Sequence, residues 1–306
     1  MRSEHRPEPR HLLLNLFLGT AHRRLSAREA IASCALFGIR ENNVRVALVR
    51  LAAAGMIEAI ERGQYRLGPK AEGLAGDVST WRNVEDRVRD WDGGWVVVHV
   101  GALPRSDRAA VRARERALGL LGLRELDAGL FVRPDNLAGG VSAVRERLAR
   151  LGLGPEAAVF VAYEFDDERR RRAAKLWDTK ALDRGYRATR AQLESWLARW
   201  SAGTPPLSIE AAARESFLLG NDAIRQLVFD PLLPAPLVDV DARRAFVDAV
   251  RRFDSVGHSI WRRFLLGATG GLVRPERAAV GSAIPVSTAR ARSATALSSS
   301  TPETPS

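Results

Sequence analysis

The chain has 306 residues, with 47 Lys or Arg against 36 Asp or Glu, which leaves a formal net charge of +11. A hydrophobic content of 46% is sufficient for packed cores and excludes an entirely disordered chain. The single cysteine, Cys34, excludes an internal disulfide and a zinc site built from cysteines, and it agrees with a cytoplasmic location. The positive charge is compatible with a nucleic-acid partner, although arginine enrichment also follows from genome composition.

The N-terminal 76 residues show helical periodicity that is interrupted twice. Apolar residues predict a first helix over residues 11–19 and not a signal peptide or a membrane span, because the apolar run is short. Ser26 and Glu29 have the spacing of a capping box, which predicts the start of a second helix. A turn at Gly38 precedes a third helix, residues 40–54, with Gly55 as its stop signal.

After Gly55 the apolar period changes to that of strands. Residues 56–61 and 64–67 predict two short strands that are joined by a tight turn at Arg62 and Gly63. Three helices followed by a hairpin predict a winged helix-turn-helix domain over residues 1–76, whose third helix can enter the DNA major groove. A solvent-exposed helix with no such role is the simpler alternative.

The polar face of the third helix supplies candidate DNA contacts. Arginine suits guanine edges and phosphates, and asparagine suits adenine edges. The arginines of the hairpin can reach phosphates or the minor groove. The candidate DNA-binding residues are Arg40, Asn42, Asn43, Arg45, Arg50, Arg62 and Arg66.

Residues 77–165 predict a linker helix and a second domain. Trp81, Val84, Val88 and Trp91 recur at helical spacing over residues 77–92. The following segments alternate in the order β-α-β-β-α-β, which is the ferredoxin-like arrangement of an antiparallel sheet with helices on one face. The whole chain is therefore predicted to belong to the α+β class.

The remainder of the chain predicts a helical domain over residues 166–270, then a disordered tail over residues 271–306. The tail is rich in Ser, Thr, Ala and Pro and has no aromatic residue, so it lacks the apolar surface to offset its ordering entropy. Aromatic and basic side chains in the helical domain are candidates for binding an effector, with core packing and ion pairs as the equally weighted alternative. These candidate effector-binding residues are Trp177, Tyr186, Arg214, Arg225 and His258.

Four sequence segments resemble one family of bacterial regulators. They are Gly38–Ile39 with Val44–Gly55, Gly129–Asn136, Leu176–Asp178 and Phe229–Pro234. In this order and spacing they resemble the PaaX-like transcriptional regulators, the repressors of phenylacetic-acid-degradation operons. The resemblance extends to about residue 265 and leaves out the tail.

The resemblance implies a cytoplasmic repressor that binds palindromic operator DNA as a homodimer and is released by an aryl-acetyl-CoA effector. It also implies a central domain similar to the CRISPR-associated spacer-acquisition nuclease, and it places Arg45 and Arg50 in the recognition helix. No cofactor, metal or membrane partner is implied.

The alternative is a metal-dependent nuclease that uses the central domain. Such hydrolysis needs carboxylates that hold the cation, and in that nuclease family an Asp ends the first strand. Here the first strand ends in His99-Val100-Gly101, so we expect no catalytic residue and no enzymatic activity. A further alternative is a module that contacts RNA or protein through its N-terminal domain.

Overall fold

The structure is a computed structural model, and it describes residues 7–19, 24–71, 80–101, 103, 106–203, 206–268 and 270. All of these residues belong to one compact unit, Met1–Leu272. Helices are combined with two antiparallel sheets, so the protein is of the α+β class, in agreement with the sequence. The predicted tail, residues 271–306, lies outside the described residues.

The N-terminal region, residues 9–71, combines three helices with a three-stranded sheet. The sheet has the order β1-β3-β2 and is antiparallel throughout. Its helices pack on one another around a shared apolar core. The elements are α1 Pro9–Gly19, β1 Arg24–Ser26, α2 Ala27–Ala35, α3 Glu41–Ala53, β2 Ile57–Glu61 and β3 Gln64–Leu67.

Two details of this region differ from the sequence prediction. Helix α1 begins two residues earlier than predicted, at Pro9, where proline's fixed φ suits the first helical position. The sequence did not predict β1, in which Leu25 pairs with Tyr65 of β3 and is only 2% exposed. A strand of three residues is too short to show a periodic pattern, so only its burial identifies it.

The predicted linker helix over residues 77–92 is wrong in its described part. Thr80–Asn83 and Glu85–Arg87 form short 3₁₀ turns, and Val88 makes a single antiparallel bridge with Leu137. Residues 77–79 lie outside the described residues. Trp81 is fully buried among the C-terminal helices, so tertiary packing and the bridge override the local helical pattern.

The central sheet joins its strands in the order β5-β6-β4-β7, and every neighbouring pair is antiparallel. Side chains alternate along β4: Val96 and Val98 face the two helices of this segment, whereas Trp95 and Val97 pack on the opposite face. Its elements are β4 Trp95–His99, α4 Arg108–Leu120, β5 Arg124–Asp127, β6 Leu130–Pro134, α5 Gly140–Arg150 and β7 Ala158–Ala162.

The described residues after the central sheet form helices, as the sequence predicted for this region. The last of them packs against the two that precede it, and their shared core also contains Trp81 and Val84 from the 3₁₀ turns. Their bounds are α6 Asp167–Ala173, α7 Thr179–Ala202, α8 Ile209–Val228 and α9 Val240–Ala268. None of the helices in the described part of the chain combines the length and apolar character that crossing a membrane requires.

Two of the motifs that carry the family resemblance meet in space, where the central sheet joins the C-terminal helices. Asn136 donates its side-chain amide to the carbonyl oxygen of Leu232 at 2.7 Å, and Arg133 Nη2 donates to that of Pro231 at 3.2 Å. Arg133 and Asn136 are 2% and 1% exposed. We call this contact the buried joint; its hydrogen bonds satisfy backbone carbonyls that water cannot reach.

Candidate nucleic-acid interface

A capping box fixes the start of α2, as the sequence predicted. The backbone N–H of Glu29 donates to Ser26 Oγ at 3.1 Å, and the backbone N–H of Ser26 donates to Glu29 Oε2 at 2.7 Å. Gly38, with φ +69°, then provides the left-handed turn that leads into α3. Together these features hold α2 as a brace against α3.

Helix α3 buries one stripe of side chains and exposes the opposite face. Its buried residues are Val44, Ala47, Leu48 and Leu51, which recur at helical spacing and anchor the helix on α1 and α2. Every residue predicted from sequence to contact DNA is exposed: Arg40, Asn42, Asn43, Arg45, Arg50, Arg62 and Arg66.

The centre of the exposed face contains two valines that the sequence analysis missed. Helical spacing aligns Asn42, Val46 and Val49 directly opposite the buried stripe. Val46 is 43% exposed and Val49 is 66% exposed. Arg45 and Arg50 lie on either side of this line, so apolar side chains occupy the centre of the face and basic ones flank it. A helical projection of residues 41–53 gives this arrangement from the sequence alone.

Two candidate arginines are held by neighbouring glutamates. Arg45 Nε and Nη2 donate to Glu41 Oε1 at 2.8 Å and 2.7 Å, one helical turn away. Arg66 Nε and Nη2 donate to Glu58 Oε2 at 3.0 Å and 2.8 Å across the β2–β3 pair. These pairs hold the guanidinium groups in place at the exposed surface, where such ion pairs contribute little stability.

The hairpin carries a second basic surface. Arg62 and Gly63 form its tip, where Gly63 has φ +77°. In the sheet register, Arg66 lies opposite Arg24 of β1 as well as Glu58 of β2. Like charges directly opposite each other are unfavourable unless an anion compensates them. Arg24 is thus a further candidate, missed because β1 itself was not predicted.

Cys34 lies on the buried side of α2 and is fully buried. Desolvation by burial raises the pKa of its thiol to about 12, so the reactive thiolate is strongly disfavoured. Cys34 therefore fills the core of the N-terminal region.

The candidate effector-binding residues are not brought together around one cavity. Trp177 is 6% exposed, packs against the central sheet and donates its indole N–H to the Gly122 carbonyl at 3.1 Å. Tyr186 is fully buried in a different core, stacked on Phe246 at 6.0 Å between ring centroids. Both aromatic side chains therefore belong to packed cores in this structure.

The other three candidates lie on α8 and α9. Arg214 and Arg225 are exposed, and the Arg225 guanidinium lies 5.9 Å from the Phe229 ring centroid. His258 contacts α1: its Nε2 lies 2.8 Å from the Gly19 carbonyl oxygen. Of the five candidates, His258 is the one that lines the described cavity between the N-terminal region and the C-terminal helices.

The described residues do not form a metal centre. Among them, no three or more His, Cys, Asp and Glu side chains are arranged to hold an ion. Strand β4 ends at His99, which is exposed.

The fold and this surface define an α+β protein that presents a basic, partly apolar helix to solvent. Residues 9–71 match the PaaX-like protein family, and residues 177–263 match the PaaX-like protein C-terminal domain. The chain belongs to the PaaX-like family. The second match begins at Trp177 and includes α7, α8 and most of α9.

The fold is also similar to a solved structure, the uncharacterized protein Rv0674 from Mycobacterium tuberculosis. The TM-score is 0.58 with 22% sequence identity, and the match covers 84% of this chain and 98% of that chain. At this identity the similarity concerns the fold alone. Among curated proteins, no sequence matches the chain significantly.

Proposed function

We propose that this protein is a DNA-binding transcriptional regulator whose residues 1–76 form a winged helix-turn-helix domain. The observation that carries the proposal is the exposed face of α3, where Asn42, Val46 and Val49 lie between Arg45 and Arg50. A helix inserted in the major groove directs the centre of its outer face to base edges and its flanks to the two phosphate backbones. Membership of the PaaX-like family supports this assignment.

The contacts divide by chemistry. Asn42 pairs with an adenine edge, and Val46 and Val49 pack on thymine methyl groups, the contact that apolar side chains make in the major groove. Arg45 and Arg50 bind phosphates or adjacent guanines. Arg40 and Asn43 extend this surface along the helix.

The hairpin serves as the wing. Arg62 at its tip and Arg66 along β3 bind the DNA backbone beside the recognition helix, together with Arg24. These contacts orient the domain without reading sequence. Phosphate then replaces Glu58 as the partner of Arg66.

Residues 77–165 are proposed as a scaffold of the ferredoxin-like type that supports a homodimer, and residues 166–270 as a helical sensor domain. A dimer places two recognition helices about 34–36 Å apart in successive major grooves. The metal-dependent nuclease alternative needs carboxylates that hold a cation, and the described residues offer no such cluster. Membership of the PaaX-like family supports a regulator over an enzyme.

The regulated genes are proposed to encode the catabolism of an aromatic acid of the phenylacetate type in the cytoplasm. The protein represses them until an aryl-acetyl-CoA effector releases it from the operator. This follows from the family resemblance and from family membership. For such a release, the effector must bind one dimer geometry more tightly than the other.

Operator binding tests the proposal. DNA fragments bound in cells are mapped genome-wide, and the recovered duplex is titrated with purified protein by fluorescence anisotropy at several salt concentrations. A protein with about six phosphate contacts loses about a thousandfold in affinity between about 50 and 200 mM salt. No preference for any duplex over random competitor DNA, or tighter binding to RNA, would refute the proposal.

A further inference from the structure

A cavity of about 150 Å³ lies where the N-terminal region meets the C-terminal helices. Leu16 of α1 and Ser33 of α2 line one side, and Phe217 of α8 and Trp261 of α9 line the other. We call this space the junction cavity. A molecule that occupies it contacts both the brace of the recognition helix and the C-terminal helices.

The wall of the junction cavity is mostly apolar and partly aromatic. Phe217, Phe253 and Trp261 line it, and Phe217 lies 5.8 Å from Trp261 between ring centroids. Among the described residues that line it, none is Lys or Arg. The one carboxylate, Asp254, is compensated by Arg82 at 3.0 Å. The one histidine of the wall, His258, already lies 3.4 Å from Asp254. A neutral apolar group is therefore accepted, whereas an ionised one would lose its hydration without gaining a lysine or arginine partner.

Two glycines in helix interiors keep the junction cavity open. Gly220 in the middle of α8 and Gly257 in the middle of α9 both line it. Glycine inside a helix costs about 1 kcal/mol relative to alanine. A Cβ at Gly257 would meet no atom nearer than Ser216 Cβ at 3.9 Å, so packing alone does not require glycine there. The missing side chain leaves space beside the aromatic wall.

A buried hydroxyl inside the junction cavity has no bonding partner. Ser33 is 0% exposed, and its Oγ makes no hydrogen bond with any described residue. A buried polar group without a partner costs about 1–3 kcal/mol. The hydroxyl of Ser216, which also lines the cavity, donates to the Ala213 carbonyl at 3.1 Å. Ser33 is thus a buried polar group of the cavity wall whose hydrogen bond a guest molecule can supply.

We propose that the junction cavity is a binding site for a neutral, ring-sized apolar group that carries one oxygen able to accept a hydrogen bond from Ser33. A dry apolar cavity of about this volume holds one benzene ring, which sets the size of the group. The ring packs between α2 and α9, and its oxygen accepts a hydrogen bond from the Ser33 hydroxyl.

Occupancy of this site links sensing to DNA binding. Helix α2 packs directly on α3, and His258 Nε2 on α9 already contacts the Gly19 carbonyl at the end of α1 at 2.8 Å. A ligand wedged between α2 and α9 therefore favours one position of the N-terminal region over another. This coupling rests on the proposed function, whereas the binding itself does not.

Calorimetry on the DNA-free, full-length protein tests the site. The probes are phenylacetamide, ethylbenzene as the matched molecule without oxygen, and phenylacetate as the charged one. The phenylacetyl thioester of coenzyme A, with coenzyme A alone as its control, tests whether the junction cavity also accepts the ring end of a larger ligand. We expect phenylacetamide to bind and phenylacetate to bind at least about tenfold more weakly.

Three variants sharpen the test. Gly257→Leu fills the junction cavity and abolishes binding of phenylacetamide, whereas Gly267→Leu, the same change on the same helix but outside the cavity wall, leaves it unchanged. Ser33→Ala weakens the binding of phenylacetamide about tenfold, the equivalent of one hydrogen bond. It leaves the binding of ethylbenzene unchanged. If Gly257→Leu does not fold, Gly257→Ala replaces it, with a raised melting temperature and weaker binding expected.

The outcomes separate the two proposals. Absence of binding by every probe, or binding that survives filling at Gly257, overturns the junction site while operator binding stands on its own. Ligand binding in a protein that never prefers a duplex overturns the DNA-binding function and leaves the site. Ligand binding that shifts operator affinity less than about twofold overturns the coupling.

Discussion

Arginine serves different purposes in the N-terminal region and in the buried joint. The guanidinium groups of Arg45 and Arg66 are exposed, and each is held by one glutamate. Arg133 is 2% exposed and donates to backbone carbonyls of Leu121, Pro134 and Pro231 and to the side chain of Asn136. In the proposed DNA complex the first kind exchanges its glutamate for a phosphate or a base, whereas the second closes contacts within the fold.

The comparison shows that a conspicuous motif does not by itself mark a binding surface. The segments 129–136 and 229–234 are as distinctive in sequence as α3, yet they contact each other through the buried side chains of Arg133 and Asn136. Burial lowers the pKa of Arg133 to about 9, which reflects the desolvation of its charge. Exposure, and not residue type, separates candidate DNA contacts from structural ones.

The largest effect is expected at the buried joint. Arg133→Met removes a buried donor and leaves several carbonyls without partners, so we expect the free energy of unfolding to fall by about 3 kcal/mol or more. Urea unfolding followed by circular dichroism measures it.

Arg124→Met is the matched control, since Arg124 is exposed on the neighbouring strand β5 and an exposed substitution changes stability by about 0.5 kcal/mol or less. Equal stability losses in both variants would show that the buried joint contributes nothing specific.

A smaller effect, on binding instead of stability, is expected in the N-terminal region. Arg50→Ala removes an exposed guanidinium from the flank of α3, and we expect it to weaken operator binding by about 1–3 kcal/mol if Arg50 contacts a base. Anisotropy titration measures the loss, and thermal melting confirms an unchanged fold. Arg112→Ala, an equal change of charge on α4, should leave affinity nearly constant, and a loss as large there would remove Arg50 from the interface.

The sequence predicted the N-terminal region well because its signals are local. The capping box at Ser26 and the helical stripe from Val44 to Leu51 depend on neighbours within one or two turns, and both are present. The prediction of a linker helix is wrong because Val88 pairs with Leu137, and local periodicity carries no information about such a distant contact.

The candidate effector-binding residues are dispersed in the structure for a related reason. An aromatic side chain at helical spacing looks the same whether it fills a core, as Tyr186 does, or lines a cavity, as Trp261 does. The junction cavity is assembled from α1, β1, α2, α8 and α9. Only the packing of these distant segments reveals it, so no spacing pattern in the sequence predicts it.

The apolar centre of α3 predicts a dependence on thymine methyl groups. Replacing thymines of the operator by deoxyuridines should weaken binding by about 0.8 kcal/mol for each methyl group that is buried. Val49→Ala should cost a similar amount on the thymine duplex and nothing further on the deoxyuridine duplex, because the same contact is already lost.

Leu120→Ala is the control for this comparison of Val49→Ala on the two duplexes, since Leu120 is a 47% exposed apolar residue outside the N-terminal region. Additive losses for Val49→Ala and deoxyuridine would mean that the valine contacts something other than a methyl group, even though the protein binds DNA.

The smallest expected effect concerns the glutamate that holds Arg66. Glu58→Gln releases the guanidinium to a phosphate and removes a like-charged neighbour of the DNA, so we expect operator binding to tighten by about 0.5 kcal/mol. Glu146→Gln, at an exposed position of α5, makes the same change in net charge outside the N-terminal region. Because both variants gain the same long-range attraction, the difference between them isolates the local release of Arg66. An identical gain in both, measured at low salt where screening is weakest, would show that the hairpin arginine does not exchange its partner on binding.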